Sequence, residues 1–223
     1  MRRFLALFLA LTLLCPLPVA AETPKYVALT FDDGPSGRFT RRLLEGLAER
    51  DVEVTFLLCG YRLRDYPGMA EHILAGGHEI GLHGDSHGDL SRMTLREINA
   101  ELEANLRALP DGCKPVFLRP PGGAIGPAVV QAAKAWGLAL LNWSIDPRDW
   151  CNHDAAAVEA AVVSTVRDGD VILLHDLCDC SVDAALAIID RLQDQGFRFV
   201  TVSQLARLKG ITPKPGALYE RFR

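Results

Sequence analysis

The stretch Val27-Ala28-Leu29-Thr30-Phe31-Asp32-Asp33-Gly34-Pro35 changes character halfway along. Its first five residues are a run with the composition of a buried strand. Two adjacent carboxylates follow, and Gly34-Pro35 turns the chain away. Taken alone, Asp-Gly-Pro is ordinary turn chemistry. Side by side, however, two acids repel each other unless a cation or a proton relieves them. In α/β folds ligands bind beyond the carboxyl ends of parallel strands, which is where these acids stand.

Downstream of this stretch the chain alternates between two periodicities. Phe39–Arg50 places Leu43, Leu44 and Leu47 at helical spacing, and Val52–Leu58 reads as a second strand. Tyr66–Ala75 reads as a helix stopped by Gly76-Gly77, and Glu79–Leu82 as a third strand running into His83. Leu95–Leu109 is the longest helical pattern, capped by Thr94, and Val116–Leu118 leads into Arg119. Pro127–Trp136 reads as helix and Leu138–Ile145 as extended chain. Asp154–Val166 is again helical, and Val171–Leu174 is a buried strand ending at His175. Val182–Gln195, Phe197–Val200 and Ser203–Lys209 read as helix, strand and short helix. About seven apolar strands alternating with helices predict an α/β protein with a parallel sheet or barrel. With no internal repeat or linker between 22 and 210, one domain is expected, with 211–223 a C-terminal tail draped over it.

Residues 1–21 have the pattern of a secretory signal peptide. Arg2 and Arg3 precede an apolar run, Phe4–Leu14, too short to span a bilayer, and Val19-Ala20-Ala21 offers small residues for cleavage before Glu22. Leu14 stands before Cys15 where a lipoprotein signal needs a small residue, so no lipid anchor is expected. Nor is any later stretch apolar enough for stable membrane insertion, so the protein is expected to be secreted or in the cell envelope. Loss of Arg2 and Arg3 leaves 22 basic against 28 acidic residues, a formal charge of −6. That balance gives no electrostatic attraction to nucleic acid. Five cysteines remain after cleavage, an odd number, so at least one is unpaired within the chain.

The reactive residues gather at the carboxyl ends of the expected strands. Asp32 and Asp33 follow the first, His83 and His87 the third, Arg119 the fourth, Asp146 and Asp149 the fifth, and His175 the sixth. Polar residues with purely structural roles would be scattered over both ends. His83-Gly84-Asp85-Ser86-His87 has a His-x3-His spacing, which on a helical turn puts both imidazoles on one face. Two histidines and one carboxylate leave a position open for water, the catalytic pattern for zinc.

Five motifs in order, Thr30–Pro35, His83–His87, Arg119-Pro120-Pro121-Gly122-Gly123, Asp146-Pro147-Arg148-Asp149-Trp150 and Leu173-Leu174-His175, resemble those of the polysaccharide deacetylases. That family is carbohydrate esterase family 4, also called the nodulation-protein (NodB) homology domain, and the resemblance runs from about Lys25 to Lys209. It implies a distorted (β/α) barrel with fewer than eight strands. By that resemblance Asp33, His83 and His87 hold one divalent metal ion, zinc, and Asp32 is the general base for the attacking water. Arg119 pairs with that base, His175 is the general acid, and Asp149 orients His175. The chemistry explains the set: a metal acidifies water and polarises the acetyl carbonyl, a second carboxylate takes the proton, and an acid must protonate the poorly leaving amine. The backbone N–H of Gly122 would help to hold the oxyanion. Trp150 and Leu173 would line a pocket for the acetyl methyl, with Pro121 also counted as substrate-binding.

Two positions depart from the family pattern. Gly84 stands where Ser or Thr is usual, and Gly122 where an aromatic is usual. Neither removes a ligand or an acid–base group, so both are read as altering specificity. Trp143 is expected in the core, and His72, His78 and His153 outside the chemistry. A disulfide from Cys151 to Cys178 or Cys180 is expected to pin the loop carrying the acid, with Cys59 and Cys113 as buried thiols. The function implied is a monomeric exported hydrolase removing N-acetyl groups from N-acetylglucosamine-containing glycan, peptidoglycan or chitin-type. An O-acetyl esterase acting on acetylated xylan and a non-catalytic glycan-binding barrel are the competing readings.

Overall fold

The computed structural model describes residues 23–223; the expected signal peptide, 1–21, lies outside the described residues. The strands are β1 (Lys25–Asp32), β2 (Thr55–Leu58), β3 (Glu79–Leu82), β4 (Phe117–Leu118), β5 (Ala139–Leu141), β6 (Val171–His175), β7 (Phe197–Phe199) and β8 (Leu218–Tyr219). The helices are α1 (Arg38–Glu49), α2 (Gly60–Asp65), α3 (Met69–Ala75), α4 (Leu95–Arg107), α5 (Pro127–Ala135), α6 (Ala155–Val163), α7 (Asp179–Asp194) and α8 (Val202–Leu208). The sheet order is β6-β1-β2-β3-β4-β5-β8, with β7 pairing the start of β1. Every ladder between these strands is parallel.

The sheet curls until its far side returns to β6. Beyond β5, Ser144 and Ile145 donate their N–H groups to Val171 O at 3.0 and 3.2 Å, and Leu173 N–H returns a bond to Ile145 O at 3.0 Å. The result is the distorted barrel that the resemblance implies, where the alternating pattern left a parallel sheet or a barrel open. It does not follow one expectation at β5: the extended segment Leu138–Ile145 is a three-residue strand followed by chain that swings across to β6.

Side-chain alternation along each strand sorts the two faces. Val27, Leu29 and Phe31 of β1 pack outward with Phe56, Leu58, Ile80 and Leu82 beneath the helices. Ala28, Leu57, Phe117, Leu141 and Val171 point inward and meet Val202, Leu205 and Phe222. The tail therefore does more than drape: β8 extends the sheet beside β5, and Phe222 is fully buried in the interior core. Sequence pattern missed both because the paired segment is only two residues long. It also missed α2, a six-residue helix with no amphipathic repeat to display. Thr94 caps α4 through a reciprocal capping box with Glu97, as expected for Thr before a helix with Glu at its third position.

Candidate active site

The same alternation that buries Phe31 outward turns Asp32 inward. Thr30 and Asp32 of β1, His83 after β3, Arg119 after β4, and Leu173 and His175 of β6 all fall on the inner parity of their strands. Asp32, Asp33, His83, His87, Gly122, Asp146, Trp150, Leu173 and His175 line one cavity of about 400 Å3, together with Trp143. Arg119 and Asp149 lie behind it, fully buried. Pro121 is buried in the turn below and does not line the cavity.

The adjacent acids divide their work. Asp32 Oδ1 accepts from Arg119 Nη1 at 2.5 Å. Arg119 uses four of its five N–H groups: Nη1 also reaches Thr30 Oγ1 at 2.9 Å, Nη2 donates to Asn142 O at 2.9 Å, and Nε to Leu141 O at 3.3 Å. Asp33 has left the strand, with a left-handed φ of 70°, and turns its carboxylate to the histidines. Its Oδ1 lies 3.1 Å from His83 Nε2 and 2.9 Å from His87 Nε2. Burial works against ionisation of Asp33, but when the two imidazoles are protonated they outweigh it and hold the carboxyl well below the usual carboxylate range.

His83 Nδ1 lies 2.7 Å from the carbonyl of Arg119, which can only accept, so Nδ1 carries the proton and the Nε2 lone pair faces Asp33. Asp33 Oδ1 is itself buried without a geometrically adequate hydrogen-bond partner, although two nitrogens touch it. Three electron-rich atoms converging around a shared space in this way are the donor set of a divalent cation. The residues therefore fit the metal that the sequence implied. The route to this geometry differs from expectation: His83–His87 is not a helical turn but an irregular loop, with φ of 79° at Gly84 and 62° at His87. A strand entering at His83 cannot begin a helix there while its backbone still pairs with β2, and His83 N–H does bond Leu58 O.

Opposite Asp33, His83 and His87, His175 Nδ1 donates to Asp149 Oδ1 at 2.9 Å, and the His175 backbone N–H donates to Asp149 Oδ2 at 2.9 Å. The ring is fixed with Nε2 facing the cavity, 4.0 Å from Asp33 Oδ2. Burial opposes its charge, yet Asp149, Asp32 and Asp33 together push its pKa up to about 9. A group raised in this way stays protonated through neutral pH, as an acid must. Asp149→Asn removes the largest raising contribution. The alkaline limb of kcat/KM is then expected to move to lower pH, toward the ordinary histidine value of about 6.5. A pH–rate profile with an unmoved alkaline limb would show that another group sets it.

Trp150 is 60% exposed at the rim and Leu173 only 4% exposed on the floor. Trp143, expected in the core, is a wall of the cavity: it keeps the inward parity of Leu141, but β5 has ended at Leu141 and the barrel interior at that level is the cavity, not packed core. Gly122 has φ of 64°, and a Cβ there would meet nothing within 4 Å, so the wall an aromatic would supply is open. The expected disulfide is not formed and all five described cysteines are free. Cys151 Sγ instead donates to Arg148 O at 3.4 Å, and Cys178 Sγ caps α7 at Ser181 N–H, 3.4 Å away.

Unforeseen in the sequence are Glu101, Asn105 and Asp176. Asn105 Oδ1 accepts from the backbone N–H of His83 at 3.2 Å. Asp176, fully buried next to His175, accepts from Thr40 Oγ1 through its carboxylate and from Ser36 Oγ through its carbonyl. It ties the turn after the paired acids to the strand carrying His175. The only hint in sequence was its place beside His175.

Residues 20–141 match the family model described as polysaccharide deacetylase. The chain is 38% identical over 191 residues to a peptidoglycan-N-acetylglucosamine deacetylase of Bacillus cereus, covering 83% of this chain and 90% of the relative. It is 38% identical over 188 residues to a chitooligosaccharide deacetylase of Sinorhizobium fredii, covering 77% and 87%. Among solved structures it resembles a family 4 acetyl xylan esterase from Clostridium thermocellum in complex with a cobalt ion. That likeness has a TM-score of 0.83 and 32% identity over 88% of this chain and 98% of that one.

Proposed function

The chain belongs to the polysaccharide deacetylase family, and from that membership we propose that it is an exported, zinc-dependent hydrolase. Its substrates are N-acetylglucosamine units of peptidoglycan or chitin-type oligosaccharide, from which it removes the N-acetyl group. The observation that carries the reading is the division of labour between neighbours: Asp33 faces two imidazoles while Asp32, one residue earlier, is held by Arg119.

A divalent metal held by Asp33, His83 and His87 supplies Lewis-acid polarisation and a more acidic water. Asp32, with Oδ1 fixed by Arg119, presents Oδ2 3.8 Å from His83 Nε2, placed to take the proton of the attacking water. His175, charged at neutral pH, gives its Nε2 proton to the departing amide nitrogen as the C–N bond breaks. Asp149 keeps that proton on the correct face by holding Nδ1. Leu173 and Trp150 enclose the acetyl methyl in apolar surface, and the open turn at Gly122 offers its backbone N–H to the oxyanion. Export is supported by Arg2-Arg3, the apolar run and the small residues before Glu22, and predicts a mature N-terminus near Glu22.

The same groups could cleave an O-acetyl ester, and the likeness to an acetyl xylan esterase keeps that reading in play. Acetate release by metal-stripped protein, with and without added zinc, tests both. Zinc-restored release from chitopentaose or peptidoglycan fragments that exceeds release from acetylated xylan is expected. The reverse order would make it an esterase. Zinc binding without release from any of the three would favour a glycan-binding barrel.

A further inference from the structure

We propose that Glu101 is a positioning residue for the metal ligands: it holds the loop between His83 and His87 and thereby sets the affinity of the site for a divalent cation. This rests on the reading of Asp33, His83 and His87 as ligands.

His87 must reach Asp33 from a loop, not from a helix, and it does so with a left-handed φ of 62° that L residues avoid. Gly84 starts the loop at φ 79° and brings no side chain with which to brace it. The bracing comes from α4. Glu101 Oε2 accepts the backbone N–H groups of Asp85 at 2.7 Å and Ser86 at 2.8 Å, and Oε1 accepts Ser86 Oγ at 2.7 Å. Ser86 Oγ in turn accepts Gly88 N–H at 3.2 Å, so the hold extends past His87. A Cβ added at Gly84 would stand 3.4 Å from Glu101 Oε2, which places the carboxylate just where that residue brings no side chain of its own.

Asn105, one helical turn after Glu101 on the same face of α4, accepts His83 N–H. On the other side α2 takes the loop carbonyls, with Gly60 N–H on Gly84 O at 3.1 Å and Tyr61 N–H on Asp85 O at 3.0 Å. Arg64 adds a bidentate pair with the Asp85 carboxylate at 2.6 and 2.9 Å. The loop is thus clamped between α2 and α4, and Glu101 is the one side chain that satisfies two consecutive loop N–H groups. Groups that orient ligands typically set metal affinity by about 10- to 100-fold.

The test measures zinc affinity of the mature chain by competition with a chromophoric chelator, and the absorption of the cobalt-loaded protein. Glu101→Ala is expected to weaken zinc binding about 10- to 100-fold and to alter the cobalt spectrum. Glu101→Gln keeps an acceptor for the two N–H groups and is expected to recover most of the affinity, which a role through charge alone would not allow. Should Glu101→Ala not fold, Glu101→Asp, one methylene short of the loop, reads the same quantity. Zinc binding within twofold of wild type in Glu101→Ala or Glu101→Asp overturns the proposal. Wild-type protein that binds no zinc overturns the ligand reading itself, and this inference with it.

Discussion

Asp32→Asn is expected to lower kcat/KM for acetate release by about 10²- to 10⁴-fold while leaving zinc affinity within a few-fold of wild type. The amide has nearly the shape of the carboxylate and its oxygen can still accept from Arg119 Nη1, so the interior packing survives. What it loses is basicity. Asp33→Asn, one residue on, should behave oppositely, losing zinc first and activity as a consequence, because Asp33 Oδ1 is the atom shared by both histidines. The pair of variants therefore separates two carboxylates that the sequence shows only as Asp-Asp. If Asp32→Asn keeps more than a tenth of wild-type kcat/KM, the base lies elsewhere. If it loses zinc in parallel with activity, Asp32 is a ligand.

That the two acids diverge was legible in part from the strand itself. β1 alternates outward Val27, Leu29 and Phe31 with inward Ala28, Thr30 and Asp32, so parity alone sends Asp32 into the barrel. The same parity places Arg119 two residues past inward Phe117, and His175 two past Leu173. Strand ends were readable because the period-two pattern runs up to them. Once the chain leaves the sheet, that logic fails. The helical geometry expected for His83–His87 fails because His83 still pairs with β2, and Trp143, inward like Leu141, meets the cavity and not the core because β5 has ended. Spacing in a sequence carries no information about a loop whose shape is dictated by φ of 79° and 62°.

The residues that support the site were not legible for a different reason. Glu101 lies 15 residues beyond Ser86, and although helical spacing puts it on the face of buried Ile98 and Asn105 and Glu103 on the opposite one, nothing local says which loop packs against that face. Asp176 acquires its role only from Ser36 and Thr40, 140 and 136 residues away. A buried side chain that satisfies distant backbone is specified by the assembled fold, and single-sequence pattern has no access to it. Arg119 is the intermediate case. Its position after β4 marked it as functional, but its four donations across the barrel appear only in three dimensions.

Those four donations make Arg119→Met the substitution with the largest expected cost in stability, about 3–5 kcal/mol in chemical denaturation. Arg119 is fully buried and Asp32 is 3% exposed, so removing the guanidinium strands Asp32 Oδ1, on the side turned away from the cavity, without its charged partner. It also takes donors from the carbonyls of Leu141 and Asn142 at the point where the chain leaves β5. Adding Asp32→Asn discriminates between the two losses. If the stranded charge dominates, the double variant should be more stable than the sum of the single effects predicts, by about 0.5–3 kcal/mol. Full recovery is not expected, because the two carbonyls remain without their donor. Strictly additive destabilisation would mean that Arg119 stabilises the barrel through those carbonyls and Thr30 Oγ1 alone. Its pairing with Asp32 would then serve catalysis and contribute nothing to the fold.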